Sequence, residues 1–181
     1  DLNGSYQAKN IIGVLGAIGI LQTKGWHIIN QHIHDGLSQV KKNTGLYGRW
    51  QMIGTSPTTV VDVAHNVAGI QTLLAQIPLV NHQKLHFVFG MVKDKDIDSV
   101  LALLPKHATY YFTKAQIERA IDAHELQEKA TAHGLNGNVY AHVNEAISAA
   151  QKQASATDLI VVCGSVFLVG EIEGIIPSTV L

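Results

Sequence analysis

Apolar residues fall into two regimes along the chain. Up to residue 43 they repeat at helical spacing, and from Gly48 onward short apolar runs alternate with helical stripes. After Asn3-Gly4-Ser5, the apolar positions at 11, 12, 14, 15, 18 and 21 predict one helix within residues 1–25. They cover more than one face, so this helix expects a large partner surface. Residues 26–43 carry a shorter amphipathic pattern, with Ile29, Ile33, Leu37 and Val40 three and four apart. Lys41-Lys42-Asn43-Thr44-Gly45 loses that periodicity and offers turn chemistry. A boundary is expected there, dividing a helical piece, 1–43, from a second unit, 44–181.

In the second unit Arg49–Ile53 and Thr58–Val63 read as strands around a Gly54-Thr55-Ser56-Pro57 turn. Val67, Ile70, Leu73, Leu74 and Ile77 make a helical stripe that stops at Pro78. Lys84–Phe89 is a buried strand, residues 97–104 a helix stopped by Pro105, and Ala108–Thr113 a strand. Asp122-Ala123-His124-Glu125 has the form of a capping box, opening a helix that ends at Gly134. Asn138–His142 is a strand, Asn144–Ala154 a helix, Leu159–Cys163 a strand, and Phe167–Ile172 a last element of open type. Strands alternating with helices of this length imply right-handed crossovers and a mostly parallel sheet. The expected fold is α/β: a Rossmann-like sheet of about six strands flanked by helices, with an N-terminal helical appendage.

Composition sharpens this. The 46% hydrophobic and 15% charged residues suffice for a core, and a formal charge of −1 gives no reason to expect nucleic acid or an anionic membrane. The single cysteine, Cys163, excludes an internal disulfide; inside an apolar run it reads as an inert buried thiol, and a reducing cytoplasm is the natural compartment. The apolar run Ile11–Leu21 falls short of the ~20 residues needed to span a bilayer and reads as a buried helix. The chain has no initiator methionine and opens beside a helix start, which suggests a piece excised from a longer protein.

Ligands of such sheets bind outside the carboxyl ends of the strands. Those ends hold Asp62, His65 and Asn66, then Gly90–Asp96, Thr113-Lys114 and Gly164-Ser165, whereas the opposite ends carry Pro, Lys and Gln. Asp62 could hold a ribose hydroxyl or a cation, or serve as a helix N-cap or in a structural turn. His65 could contact an anion, or be a satisfied structural histidine. Arg49 is either a phosphate clamp or a surface arginine beside an exposed tryptophan. No G-x-G-x-x-G, no P-loop, no HExxH and no G-x-S-x-G occurs. His32-Ile33-His34-Asp35 is the one tight histidine cluster, but residues two apart on a helix do not share a face, so no metal site is expected.

Taken together, Gly48-Arg49-Trp50-Gln51, Asp62-Val63-Ala64-His65-Asn66, the loop from Phe89 through Asp96, Ile117-Glu118-Arg119-Ala120 and Cys163-Gly164-Ser165-Val166-Phe167 resemble, in order and spacing, the folylpolyglutamate synthase / dihydrofolate synthase family, a branch of the Mur ligase superfamily. Gly4-Ser5-Tyr6-Gln7-Ala8-Lys9-Asn10 resembles the segment that closes that family's central ATPase domain. Tyr6 stands where many members have His, and Val67 where Pro is common; neither change removes a reacting group. The resemblance implies the last helices of the ATPase domain followed by the whole C-terminal domain. It also implies ATP-dependent ligation of L-glutamate to dihydropteroate or folate through an acyl phosphate, with Mg²⁺ ligands on the part not present.

By the same resemblance Asn10 would contact adenine, Arg49 the ATP phosphates and Asp62 the ribose. His65 and Ser165 would sit near the incoming glutamate and the acyl phosphate, and Lys95 matches the family's Asp-Lys-Asp. The protein would be a monomer packed on its own central ATPase domain, and the isolated chain inactive. The alternatives are a muropeptide ligase domain and a non-catalytic nucleotide-binding or interaction module that retains the sheet.

Overall fold

The structure is a computed structural model and describes residues 1–175; the last positions of the expected 44–181 unit lie outside the described residues. Its strands are β1 (Gln51–Thr55), β2 (Thr58–Val61), β3 (Leu85–Phe89), β4 (Thr109–Phe112), β5 (Gly137–Val139) and β6 (Leu159–Cys163). They form one sheet in the order β1-β2-β6-β3-β4-β5, in which only the β1–β2 pair is antiparallel. The helices are α1 (Gln7–Thr23), α2 (Asn30–Ser38), α3 (Val40–Thr44), α4 (Val67–Leu74), α5 (Ile97–Leu103), α6 (Ala123–Ala132), α7 (Val143–Gln153) and α8 (Val166–Gly170).

The strand order dictates where the helices go. Helices α4, α5 and α6 carry the chain one way across the sheet, from β2 to β5, and α7 carries it back to β6. Right-handed crossovers then require α7 to lie on the opposite face. The core divides accordingly. Ile70, Leu73, Val100, Leu101 and Leu126 pack with Leu85, Phe87, Phe89 and Val161 on one face. Val143, Ala146, Ile147, Ala150 and Leu168 pack with Val88, Ile160 and Val162 on the other. Covered on both faces, β3 and β6 are buried at every position, which is why β6 reads as an unbroken apolar run and β3 as one interrupted only by His86. Adjacent β2 and β6 send their chains to opposite faces, which opens a switch-point crevice at their carboxyl ends.

Several expectations need correction. β1 starts at Gln51, not Arg49, because Trp50 takes the left-handed φ of 49°, which no strand accommodates. The strand expected over 138–142 is the shorter β5; its last ladder bond is from the Tyr140 N–H to the Phe112 carbonyl, and His142 already caps α7. The pattern over 26–43 divides at Gln39 into α2 and α3, and the expected turn at 41–45 is helical until Gly45, at φ 64°, closes it. Helix α1 is not buried: it contains no buried residue, and Ile12, Ile20 and the following Trp26 are exposed. Its apolar residues face several directions and no described element covers them. Among the described residues no helix is long and apolar enough to cross a membrane.

Candidate functional site

The carboxyl ends of β2, β6, β3 and β4 are drawn together by backbone bonds. Gly164 N–H donates to the Ala64 carbonyl, Gly90 N–H to Cys163 and Thr113 N–H to Phe89. Gly164 sits at φ 111°, and a Cβ on it would collide with the Gly90 carbonyl oxygen, so both backbone angle and space demand glycine there.

Asp62 lies at the centre. It is 4% exposed, and three segments donate to its carboxylate. Oδ2 accepts from the Trp50 N–H at 2.8 Å and the Tyr6 hydroxyl at 2.9 Å, while Oδ1 accepts from the Ala64 N–H at 2.9 Å. Burial pushes this carboxyl above the ordinary range, against the opposing pull of those bonds and of the Arg49 charge. Asp62 is therefore neither an exposed, solvated group nor a helix cap; the cap of α4 is Asn66, which accepts from the Gly69 N–H. Burial, and next the Asp62 charge, likewise raise Tyr6, which keeps its hydroxyl a donor.

Arg49 is held between two left-handed residues, Gly48 at φ 73° and Trp50 at φ 49°. A Cβ on Gly48 would meet Val63 and Val169 within 3 Å. The tryptophan beside Arg49 is buried, at 8% exposure, not exposed as the sequence reading allowed. Among the described residues Arg49 has no hydrogen-bond or ion-pair partner. A cleft of about 650 Å³ opens between α1, Leu46, Arg49 and the start of α4, lined also by Tyr6, Asn10, Asp62 and Ala64. The structure thus brings Asn10, Arg49 and Asp62 to one cavity. His65 and Ser165 do not line it. His65 Nδ1 is 2.9 Å from the Val63 carbonyl, which can only accept, so Nδ1 carries a proton and Nε2 is the ring nitrogen left for another partner. Ser165 is buried and caps α8, its Oγ accepting from the Phe167 N–H at 3.2 Å. It neighbours His65 through the Gly164–Ala64 bond.

Elsewhere on this rim Asp94 pairs with Arg119 at 2.7 Å, Asp96 caps α5, and the Arg119 guanidinium lies 5.5 Å from the centre of the Phe167 ring. Cys163 is fully buried, and burial raises its thiol well above the usual range, as expected of an inert side chain. Sequence reasoning missed Tyr6 and Gln76. Tyr6 was weighed only as a departure from a motif, and nothing local signals a partner 56 residues away.

Residues 48–166 match the family described as Mur ligase, glutamate ligase domain. The dihydrofolate synthase/folylpolyglutamate synthase of Escherichia coli is 31% identical over 164 residues, 90% of this chain and 37% of that protein. The solved structure of E. coli FolC in complex with DHPP and ADP superposes with a TM-score of 0.69 at 31% identity, over 84% of this chain and 35% of the other. A bifunctional folylpolyglutamate synthase/dihydrofolate synthase solved with Mn, AMPPNP and L-glutamate bound gives 0.68 at 29% identity, over 84% of this chain and 36% of the other. The chain therefore spans little more than a third of the length of these relatives. With the family match extending over most of its residues, this chain belongs to the Mur ligase glutamate ligase domain family, alongside the folylpolyglutamate and dihydrofolate synthases.

Proposed function

We propose that the complete protein is an ATP-dependent amide ligase that adds L-glutamate to dihydropteroate, to folate, or to both, and that this chain contributes part of its nucleotide and glutamate site. The observation that carries the reading is the shared cleft: an amide (Asn10), a guanidinium without a partner among the described residues (Arg49) and a carboxylate with acceptor capacity left on Oδ1 (Asp62). An amide recognises a base edge, a guanidinium fork takes phosphate oxygens, and a carboxylate accepts from a ribose hydroxyl. His65 and Ser165, one strand apart on the same rim, would face the incoming glutamate and the acyl phosphate.

In the reaction ATP phosphorylates the substrate carboxylate, whose own oxygen is a poor leaving group. The glutamate amine then attacks the acyl carbon, and inorganic phosphate departs with the C–O bond. The divalent cation in the relative is Mn; here we take it to be Mg²⁺, which shields charge in phosphoryl transfer. By the family resemblance, its ligands are assigned to a central ATPase domain outside this chain. The uncovered surface of α1 supports packing against that domain. A cytoplasmic monomer completes the reading.

The test is Arg49→Ala in the complete protein, assayed for ATP-dependent glutamate addition. Loss of a charge clamp on the transition state predicts a fall of ~10²-fold or more. Unchanged turnover would remove Arg49 from the site, whereas no glutamate addition by the unsubstituted protein would sink the ligase reading and favour a non-catalytic nucleotide-binding module.

A further inference from the structure

Helix α1 carries Asn10, yet nothing on α1 is buried. The segment just before it supplies its side-chain hydrogen bonds to the sheet unit. That segment is tied to the sheet unit at two points. The Ser5 N–H donates to Gln76 Oε1 at 2.9 Å, and Gln76 Nε2 donates back to Ser5 Oγ at 2.7 Å. One residue on, the Tyr6 hydroxyl reaches Asp62 Oδ2. The Tyr6 ring also lies against Gly4, where a Cβ would come within 2.5 Å of the ring, so a side chain at that position would push the ring aside.

Asp62 Oδ2 is at the same time the acceptor for the Trp50 N–H. One carboxylate oxygen therefore joins the segment leading to Asn10 with the left-handed turn that presents Arg49. We propose that Tyr6 is a positioning residue of the nucleotide site, which through Asp62 sets the spacing between Asn10 and Arg49. This rests on the ligase reading above. Tyr6 acts in the ground state and the transition state alike, so its loss should appear as weaker ATP binding and not as slower chemistry.

The experiment uses the complete protein with Tyr6→Phe, Tyr6→His and Arg49→Ala side by side. Steady-state kinetics and calorimetric ADP binding are the readouts. Tyr6→Phe keeps the ring over Gly4 and removes only the donor; it should raise KM for ATP and Kd for ADP about tenfold, with kcat within about twofold. Tyr6→His carries a donor on a shorter side chain that falls short of Asp62 and should lose affinity as Tyr6→Phe does. Affinity unchanged in Tyr6→Phe, with Arg49→Ala impaired, overturns the role of Tyr6 alone. So does a loss confined to kcat, or a fall in melting temperature without a change in Kd. Arg49→Ala with full activity and unchanged Kd removes Arg49 from the nucleotide site and overturns this inference, while absence of glutamate addition in the unsubstituted protein overturns the ligase reading and this inference with it.

Discussion

Asp62 and Arg49 share a cleft but differ in what surrounds them, and their variants should separate. Replacing Asp62 by alanine strands the Trp50 and Ala64 N–H groups without their acceptor, at ~1–3 kcal/mol each. Asp62→Ala is thus expected to lower the melting temperature by several degrees as well as to impair nucleotide binding. Arg49, with no partner among the described residues, should lose function at nearly constant stability, its melting temperature within about 2 °C of the parent. Titration gives a second test. The folded chain keeps the Asp62 proton to higher pH than the unfolded chain does. That contribution to stability is complete below about pH 4, the unfolded value, and is lost as pH rises through the folded one. Asp158 runs the other way. Burial opposes ionisation there, but donors from Ser155, His86 and Lys84 outweigh it and hold the carboxyl below the ordinary range. Its contribution is present above about pH 4 and lost as pH falls through the depressed value. Urea midpoints measured against pH should lose the high-pH decline in Asp62→Asn and the low-pH decline in Asp158→Asn.

Among the elements, glycines give opposite expectations at the two ends of the chain. Gly164→Ala places a Cβ against the Gly90 carbonyl from a left-handed backbone and should cost more than ~2 kcal/mol, read as a lower melting temperature. Gly13 and Gly16, within α1, have nothing within 4 Å of a built Cβ. Alanine there should raise helix content in the isolated chain, at ~0.5–1 kcal/mol per site. The sheet was legible because β3 and β6 are covered on both faces, so every residue but His86, which is bonded to Tyr111 and Asp158, is apolar. The carboxyl-end asymmetry was legible because chemistry in a parallel sheet collects on one rim. What sequence could not show was long-range or conformational. An exposed Trp50, one of the two readings open for the Arg49 segment, fails because the tryptophan is buried beside a left-handed turn. Spacing leaves Asp62 open as a ligand, a cap or a turn residue, since its partners Tyr6 and Trp50 meet it only in three dimensions. Gln39 divides α2 from α3 through a backbone angle that spacing does not encode.

For the whole molecule, the uncovered helix matters most. Ile12, Ile20 and Trp26 face solvent on a segment with no buried residue. An apolar surface of that kind drives association. The isolated 181-residue chain is expected to self-associate in size-exclusion chromatography with light scattering. Ile12→Lys combined with Ile20→Glu should restore a monomer while leaving the melting of the sheet unit unchanged. The same isolated chain should show no glutamate-dependent ATP turnover; measurable turnover would place the catalytic groups within it.

The burial of Trp50 has a spectroscopic consequence. The chain has two tryptophans, and they occupy opposite environments: Trp26 is 64% exposed, while Trp50 is enclosed with its backbone N–H on the Asp62 carboxylate. Trp26 should emit at long wavelength and be open to iodide quenching, whereas Trp50 should emit to the blue and be shielded. A Trp26→Phe protein would therefore carry a single indole next to the residues assigned to the nucleotide. Its emission would follow occupancy of the cleft directly, without an added label.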